Sequence, residues 1–150
     1  VRITDLERDR VPEAVALWHD CGLTRPWNDA EADARRALAG PASTVLAALA
    51  PEGALLGTAM VGHDGHRGWV YYLAVAPGAR RRGTGRALMA AAEQWLRRRG
   101  APKVQLMVRD GNEQAHGFYA ALGYTDQETT VLGRFLDPAL QRLKERQRTR

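Results

Sequence analysis

Leu73-Ala74-Val75-Ala76-Pro77-Gly78-Ala79-Arg80-Arg81-Arg82-Gly83-Thr84-Gly85-Arg86 is the stretch whose reading decides the fold. An apolar run over 69–75 ends at Pro77, crosses an arginine-rich turn and enters a helical pattern through Gly83 and Gly85. Without side chains, those glycines let backbone N–H groups approach a ligand closely. The start of the following helix offers unpaired N–H donors and the positive end of its dipole, a site suited to phosphate. Arg80, Arg81, Arg82 and Arg86 crowd the same turn. A lone G-x-G beside arginines is equally consistent with an ordinary strand-to-helix connection, so the rest of the chain has to decide.

Working outward, 67–75 reads as a strand apolar on both faces after Gly68, hence central in a sheet. Residues 84–99 carry Leu88, Ala91, Ala92, Trp95 and Leu96 on one helical face, and Val104, Leu106 and Val108 alternate as a strand does. This strand–helix–strand unit predicts a right-handed parallel crossover, with ligands at the C-terminal end of its first strand. Upstream, 1–4 reads as an edge strand, 12–21 as a helix with Pro12 in its first turn, and 28–38 as a short helix capped by Asn28. Residues 43–49 and 54–61 form a hairpin through Pro51-Glu52-Gly53. Downstream come a helix over 112–122, β segments over 126–130 and 132–136, and a charged tail beyond Pro138, helical or frayed. The predicted class is α/β (α+β): a mixed, mostly antiparallel sheet of roughly six to seven strands flanked by about four helices.

At 150 residues, the chain reads as one domain over 1–150 with a charged tail over 138–150. The net charge of +5 admits an acidic partner, but apart from Lys103 and Lys144 the basic residues are all Arg. So uniform a bias reads as codon preference, and no aromatics interleave with the basic residues as nucleic-acid binding would need. Cys21 is the only cysteine, which rules out an internal disulfide, and the His and Cys positions show no metal-ligand spacing. No apolar leader or run of about 18 apolar residues occurs. The expectation is a soluble cytoplasmic protein with no metal, membrane or nucleic-acid partner, and with a homodimer left open.

Two motifs coincide. Val75-x-Pro77 with Arg80-x-x-Gly83-x-Gly85 resembles the acetyl-CoA-binding motif of the GNAT family of N-acetyltransferases. Asn112-x-x-Ala115-x-x-Phe118-Tyr119-x-x-Leu122-Gly123-Tyr124 resembles that family's second motif. The chain is most similar to the YpeA-type branch, through Leu23-x-Arg25-Pro26-Trp27-Asn28-Asp29, Gly62-x-Asp64-Gly65-His66-Arg67-Gly68 and Tyr71-Tyr72-Leu73.

The resemblance implies transfer of an acetyl group from acetyl-CoA to a primary amine of a small molecule or peptide. Backbone amides from Arg81 through Arg82, Gly83, Thr84 and Gly85 to Arg86 would hold the pyrophosphate, with Arg80, Arg81, Arg82 or Arg86 near its charges. Leu73, Ala74 and Val75 would pair by backbone with the pantetheine arm, and the N–H of Leu73 or Ala74 would stabilise the oxyanion. Asn112 would touch the pantetheine, and Tyr119 would protonate the departing thiolate. With a phenol near 10 and a thiol near 8.5, that transfer is close to thermoneutral. An alternative function is a non-catalytic acyl-CoA sensor.

The acceptor must attack as a neutral amine, which at pH 7 costs about 4–5 kcal/mol for a lysine and about 1 kcal/mol for an α-amine. Several relatives carry a glutamate base near the start of the central strand; here Trp69 stands there, and no carboxylate lies within 67–75. Asp64, His66, Asp29, a water chain or a low-pKa amine remain as solutions. Trp27 could give the amine an aromatic platform, beside Asp29, with Tyr71 on the same strand face as Trp69.

Overall fold

The computed structural model describes residues 1–148. The chain divides into two compact units, one joining Val1–Thr24 to Ala30–Met107, the other joining Arg25–Asp29 to the chain from Val108 onward.

The first unit holds β1 (Arg2–Asp5), α1 (Val11–Asp20), α2 (Ala30–Ala39), β2 (Ser43–Leu49), β3 (Leu55–His63), β4 (Gly68–Val75), α3 (Thr84–Arg98) and β5 (Val104–Gln105). The sheet runs β1-β2-β3-β4-β5. Its first four strands are antiparallel neighbours and β4–β5 is parallel. Pro12 sits in the first turn of α1, where a missing N–H costs nothing. Val11, Ala14, Leu17 and Trp18 follow at helical spacing and are buried, in one core with Ala34, Ala37, Val45 and Ala47. Leu88, Met89, Ala92, Trp95 and Leu96 of α3 are also buried. Gly57 makes room there: a Cβ on it would lie 2.7 Å from Ala74 O and 3.0 Å from Leu88 Cδ1.

The second unit holds α4 (Glu113–Ala121) and α5 (Pro138–Arg148), the latter turning the charged tail into a helix.

Several expectations are corrected. Among the described residues the sheet has five strands rather than six to seven, and there are five α-helices, α1 to α5, rather than about four. Neither 126–130 nor 132–136 is a strand. Asp126 Oδ1 accepts from Glu128 N–H at 2.7 Å and Glu128 is left-handed at φ 54, which breaks the first segment. Leu132 and Leu136 are 90% and 97% exposed, so the end residues of the second pack on no partner strand. β5 stops at Gln105, short of Leu106 and Val108, and Tyr71 is 44% exposed, so β4 is not buried on both faces. Among the described residues, no helix is long and apolar enough to cross a membrane.

Candidate functional site

The site begins at the edge of β4. β5 pairs with it only at Gly68/Val104 and Trp69/Gln105, so beyond Trp69 that side of β4 has no strand partner among the described residues. The other side pairs with β3 through a register that slips: Tyr71 faces Met60, but Ala74 faces Thr58. Tyr72 and Leu73 therefore both stand opposite Ala59, a two-against-one bulge. Tyr72 is left-handed there, at φ 51. Ala76 N–H bonds to Leu56 O, so Ala76 and, by alternation, Ala74 direct their backbone groups to β3. Leu73 and Val75 direct theirs to the open edge. Val75 O is covered by Arg80 Nε at 3.2 Å and Cys21 Sγ at 3.6 Å.

β4 continues through a 3₁₀ turn at Pro77–Ala79 into the arginine run and α3. Arg81 and Gly83 are both left-handed, at φ 63 and φ 82. Such a turn makes successive N–H groups converge on a shared concavity. Gly83 is the N-cap of α3 and no side chain caps this end, leaving its first-turn N–H groups without intrahelical partners. The hydroxyl of buried Thr84 turns back to Ala79 O, so only its amide is offered. Arg81, Arg82 and Arg86 are exposed. Arg80 instead braces the strand end, with Nη2 at 3.7 Å from Cys21 Sγ.

Asp64, a candidate base, is spent on its own turn. Oδ1 accepts from His66 N–H at 2.9 Å and Arg67 N–H at 2.8 Å, and Oδ2 from Trp69 Nε1 at 3.2 Å. The Arg67 amide and then the His66 amide pull its pKa from 3.8 to about 2. It is a fixed anion at neutral pH and a poor proton acceptor. It orients Trp69, which stacks on Tyr71 with centroids 6.5 Å apart. Desolvation first, then the charge of Asp64, raises the pKa of Tyr71. Because the folded pKa of Asp64 is depressed, its contribution to stability is full above about 3.8 and is lost as pH falls through about 2. The stability difference between wild type and Asp64→Asn, followed by urea unfolding against pH, should be constant above pH 4 and shrink toward pH 2.

In the second unit, Asn112 caps α4, its Oδ1 accepting from Ala115 N–H at 3.1 Å, which leaves its side-chain NH₂ as the group to offer a ligand. Tyr119 lies between Phe118 and Tyr124, edge-on to both with centroids at 5.0 and 5.7 Å. Desolvation pushes its pKa up to about 12, which corrects the expectation of an unshifted phenol. The Trp27 ring lies under an ammonium of the chain itself, that of Lys144, whose Nζ is 5.6 Å from its centroid and 5.8 Å from that of Phe135. Asp29 is exposed beside that loop.

The model of the acetyltransferase (GNAT) family matches residues 4–124. The chain belongs to the GNAT family. A GNAT relative named acetyltransferase from Yersinia pestis is 41% identical over 136 residues, 91% of this chain and 96% of its own. An acetyltransferase of Yersinia enterocolitica is 44% identical over 124 residues, covering 83% and 87%. Among solved structures, AAC(6')-Iy in complex with a CoA bisubstrate analogue superposes with a TM-score of 0.76 at 20% identity, over 89% of this chain and 97% of that one. A putative acetyltransferase of Agrobacterium tumefaciens gives 0.75 at 20% identity, over 90% and 100%. This GNAT chain is an acetyl-CoA-dependent N-acetyltransferase. Its own residues fit that cofactor: the uncapped first turn of α3 presents donors for a pyrophosphate, and the open edge of β4 presents backbone groups for an amide-bearing arm. Sequence reasoning missed the bulge at Tyr72, whose one trace is an aromatic doublet interrupting the strand's alternation.

Proposed function

We propose that this chain acetylates a primary amine of a small molecule or peptide by direct attack of the amine on acetyl-CoA, as one acetyltransferase domain of the YpeA-type branch. The observation that carries this is the edge of β4, without a strand partner beyond Trp69 among the described residues and leading through the 3₁₀ turn and the arginine run to the uncapped start of α3. Acetyl-CoA supplies the acetyl group as an activated thioester. Amides from Arg81 to Arg86 would bind its phosphates, helped by Arg81, Arg82 and Arg86. Leu73 and Val75 would hold the pantetheine, with Asn112 contributing its side-chain NH₂. Alternation along β4 favours Leu73 over Ala74 as the N–H donor to the thioester carbonyl oxygen. Tyr119 would return a proton to the sulfur.

For the acceptor, the fixed charge of Asp64 and the Trp69–Tyr71 stack suit a cationic amine at the recognition stage. Trp27 already holds an alkylammonium in Lys144, which an acceptor using that platform would displace. With Asp64 unable to serve as base, His66, Asp29 or water would take the amine proton, and a low-pKa amine needs least help.

Thermal unfolding with and without acetyl-CoA tests the reading. At a hundred times its dissociation constant the cofactor should stabilise the fold by about 2.7 kcal/mol. No stabilisation would sink it. Free-thiol release with kanamycin, spermidine and a peptide bearing a free N-terminus then identifies the acceptor class.

A further inference from the structure

Tyr72 is a bulky residue in a left-handed conformation inside a strand, at φ 51, where such side chains are sterically disfavoured. The surrounding structure holds it from three directions. Its ring stacks on Trp18 of α1, with centroids 4.0 Å apart and planes 14° off parallel. Its carbonyl accepts from Thr58 Oγ1 at 2.9 Å, and Thr58 Oγ1 itself accepts from Trp18 Nε1 at 2.7 Å. Its hydroxyl donates to Asp33 Oδ2 of α2 at 2.8 Å, while Asp33 Oδ1 is held by Arg36 at 2.6 Å. Trp18 and Thr58 are both 0% exposed.

The consequence falls on the next residue. Gly68 N–H bonds to Lys103 O on the β5 side, so Trp69 and Tyr71 direct their backbone groups to β3. Had β4 continued in the register of Tyr71↔Met60, Leu73 would face β3 as well and its N–H would be spent on that strand. The bulge moves the N–H of Leu73 to the open edge and gives Ala74 the bond to β3.

We propose that Trp18, Thr58 and Asp33 are positioning residues that lock Tyr72 left-handed and so aim the N–H of Leu73 at the thioester carbonyl oxygen. The catalytic half of this rests on the acyl-transfer reading above. The lock itself does not.

Thr58→Val keeps the side-chain shape and removes the hydroxyl, Thr58→Ser keeps the hydroxyl, and Tyr72→Phe removes only the bond to Asp33. The first readout is backbone amide exchange by NMR on the cofactor-free protein. Wild type should show a fast Leu73 amide and a protected Ala74 amide; Thr58→Val should slow the first and expose the second, and Thr58→Ser should resemble wild type. The second readout is thiol release from acetyl-CoA with the best amine among kanamycin, spermidine and the free-N-terminus peptide. Losing an oxyanion donor outright costs about 10²–10³ in kcat, so a misaimed one should cost about tenfold or more, with KM for acetyl-CoA within about twofold. Thr58→Ser should restore kcat, and Tyr72→Phe should lie between. An unchanged exchange pattern in Thr58→Val and Tyr72→Phe overturns the lock, whether or not acetyl-CoA binds. A changed pattern with Thr58→Val and Thr58→Ser equal in kcat overturns its role in turnover. Absence of acetyl-CoA binding to wild type overturns the acyl-transfer reading, and the exchange pattern still decides the lock.

Discussion

Tyr119→Phe is expected to lower kcat by about 10²–10³ while leaving the dissociation constant of acetyl-CoA within about twofold. Proton transfer by a positioned side chain is worth about 10²–10⁴, and phenylalanine preserves the edge contacts with Phe118 and Tyr124. The raised pKa, about 12 rather than an ordinary 10, refines the chemistry. Against a thiol titrating near 8.5 in water, full transfer from such a phenol would be uphill by about 5 kcal/mol. Desolvation that raises the phenol also raises a thiol buried beside it, because both lose solvation of the anion. The two stay matched only while the reacting sulfur is shielded as well as Tyr119 is. At neutral pH the phenol is fully protonated and needs no activation to donate. The pH–rate profile should therefore show no falling limb from Tyr119 at pH 9–10. Stability carries the same sign: the contribution from a protonated Tyr119 is full below about 10 and fades as pH rises through about 12. Tyr119→Phe removes that dependence. Equal loss of cofactor affinity and turnover would make Tyr119 a packing residue and nothing more.

What the chain discloses before folding is what short-range physics controls. α1, α3 and α4, and strands β2 to β4, lie close to where periodicity puts them, because apolar spacing is local and Pro12, Gly22 and Gly100 punctuate it. The turn from Val75 to α3 is equally readable, since its glycines and prolines dictate backbone shape. The bulge is not. A left-handed Tyr72 depends on Thr58, Trp18 and Asp33, which reach it only once α1, α2 and β3 are in place. Asp64 shows the same limit on a smaller scale: a carboxylate in a turn reads as a free base until its amide partners are known. Residues 126–136 mislead for the opposite reason. Apolar residues such as Val131, Leu132 and Leu136 support a strand only when a partner strand exists to bury them, and these side chains remain exposed.

Because the bulge is held from a distance, stability and site geometry share a residue, and Trp18→Ala should lose about 3–5 kcal/mol, the usual range for a buried tryptophan. Trp18 is 0% exposed, stacks on Tyr72 at 4.0 Å and gives Thr58 a buried hydrogen bond. Against a total of about 5–15 kcal/mol for a domain, that is a large share. For a chain of this size it should lower Tm by about 6–20 °C. One term works the other way: freeing Tyr72 from its left-handed conformation returns about 1–2 kcal/mol, which pulls the net loss toward the lower half of the range. Trp18→Phe separates the contributions, keeping a ring against Tyr72 but removing the N–H to Thr58. Its cost should be about 1–3 kcal/mol, that of one lost buried hydrogen bond plus a small cavity, since Thr58 Oγ1 keeps its bond to the Tyr72 carbonyl. In urea unfolding, Thr58→Val combined with Trp18→Phe should then cost less than the sum of the two, since both delete the same bond. Additive losses would mean the indole N–H and the Thr58 hydroxyl stabilise the fold independently, and that the stack alone connects α1 to the bulge.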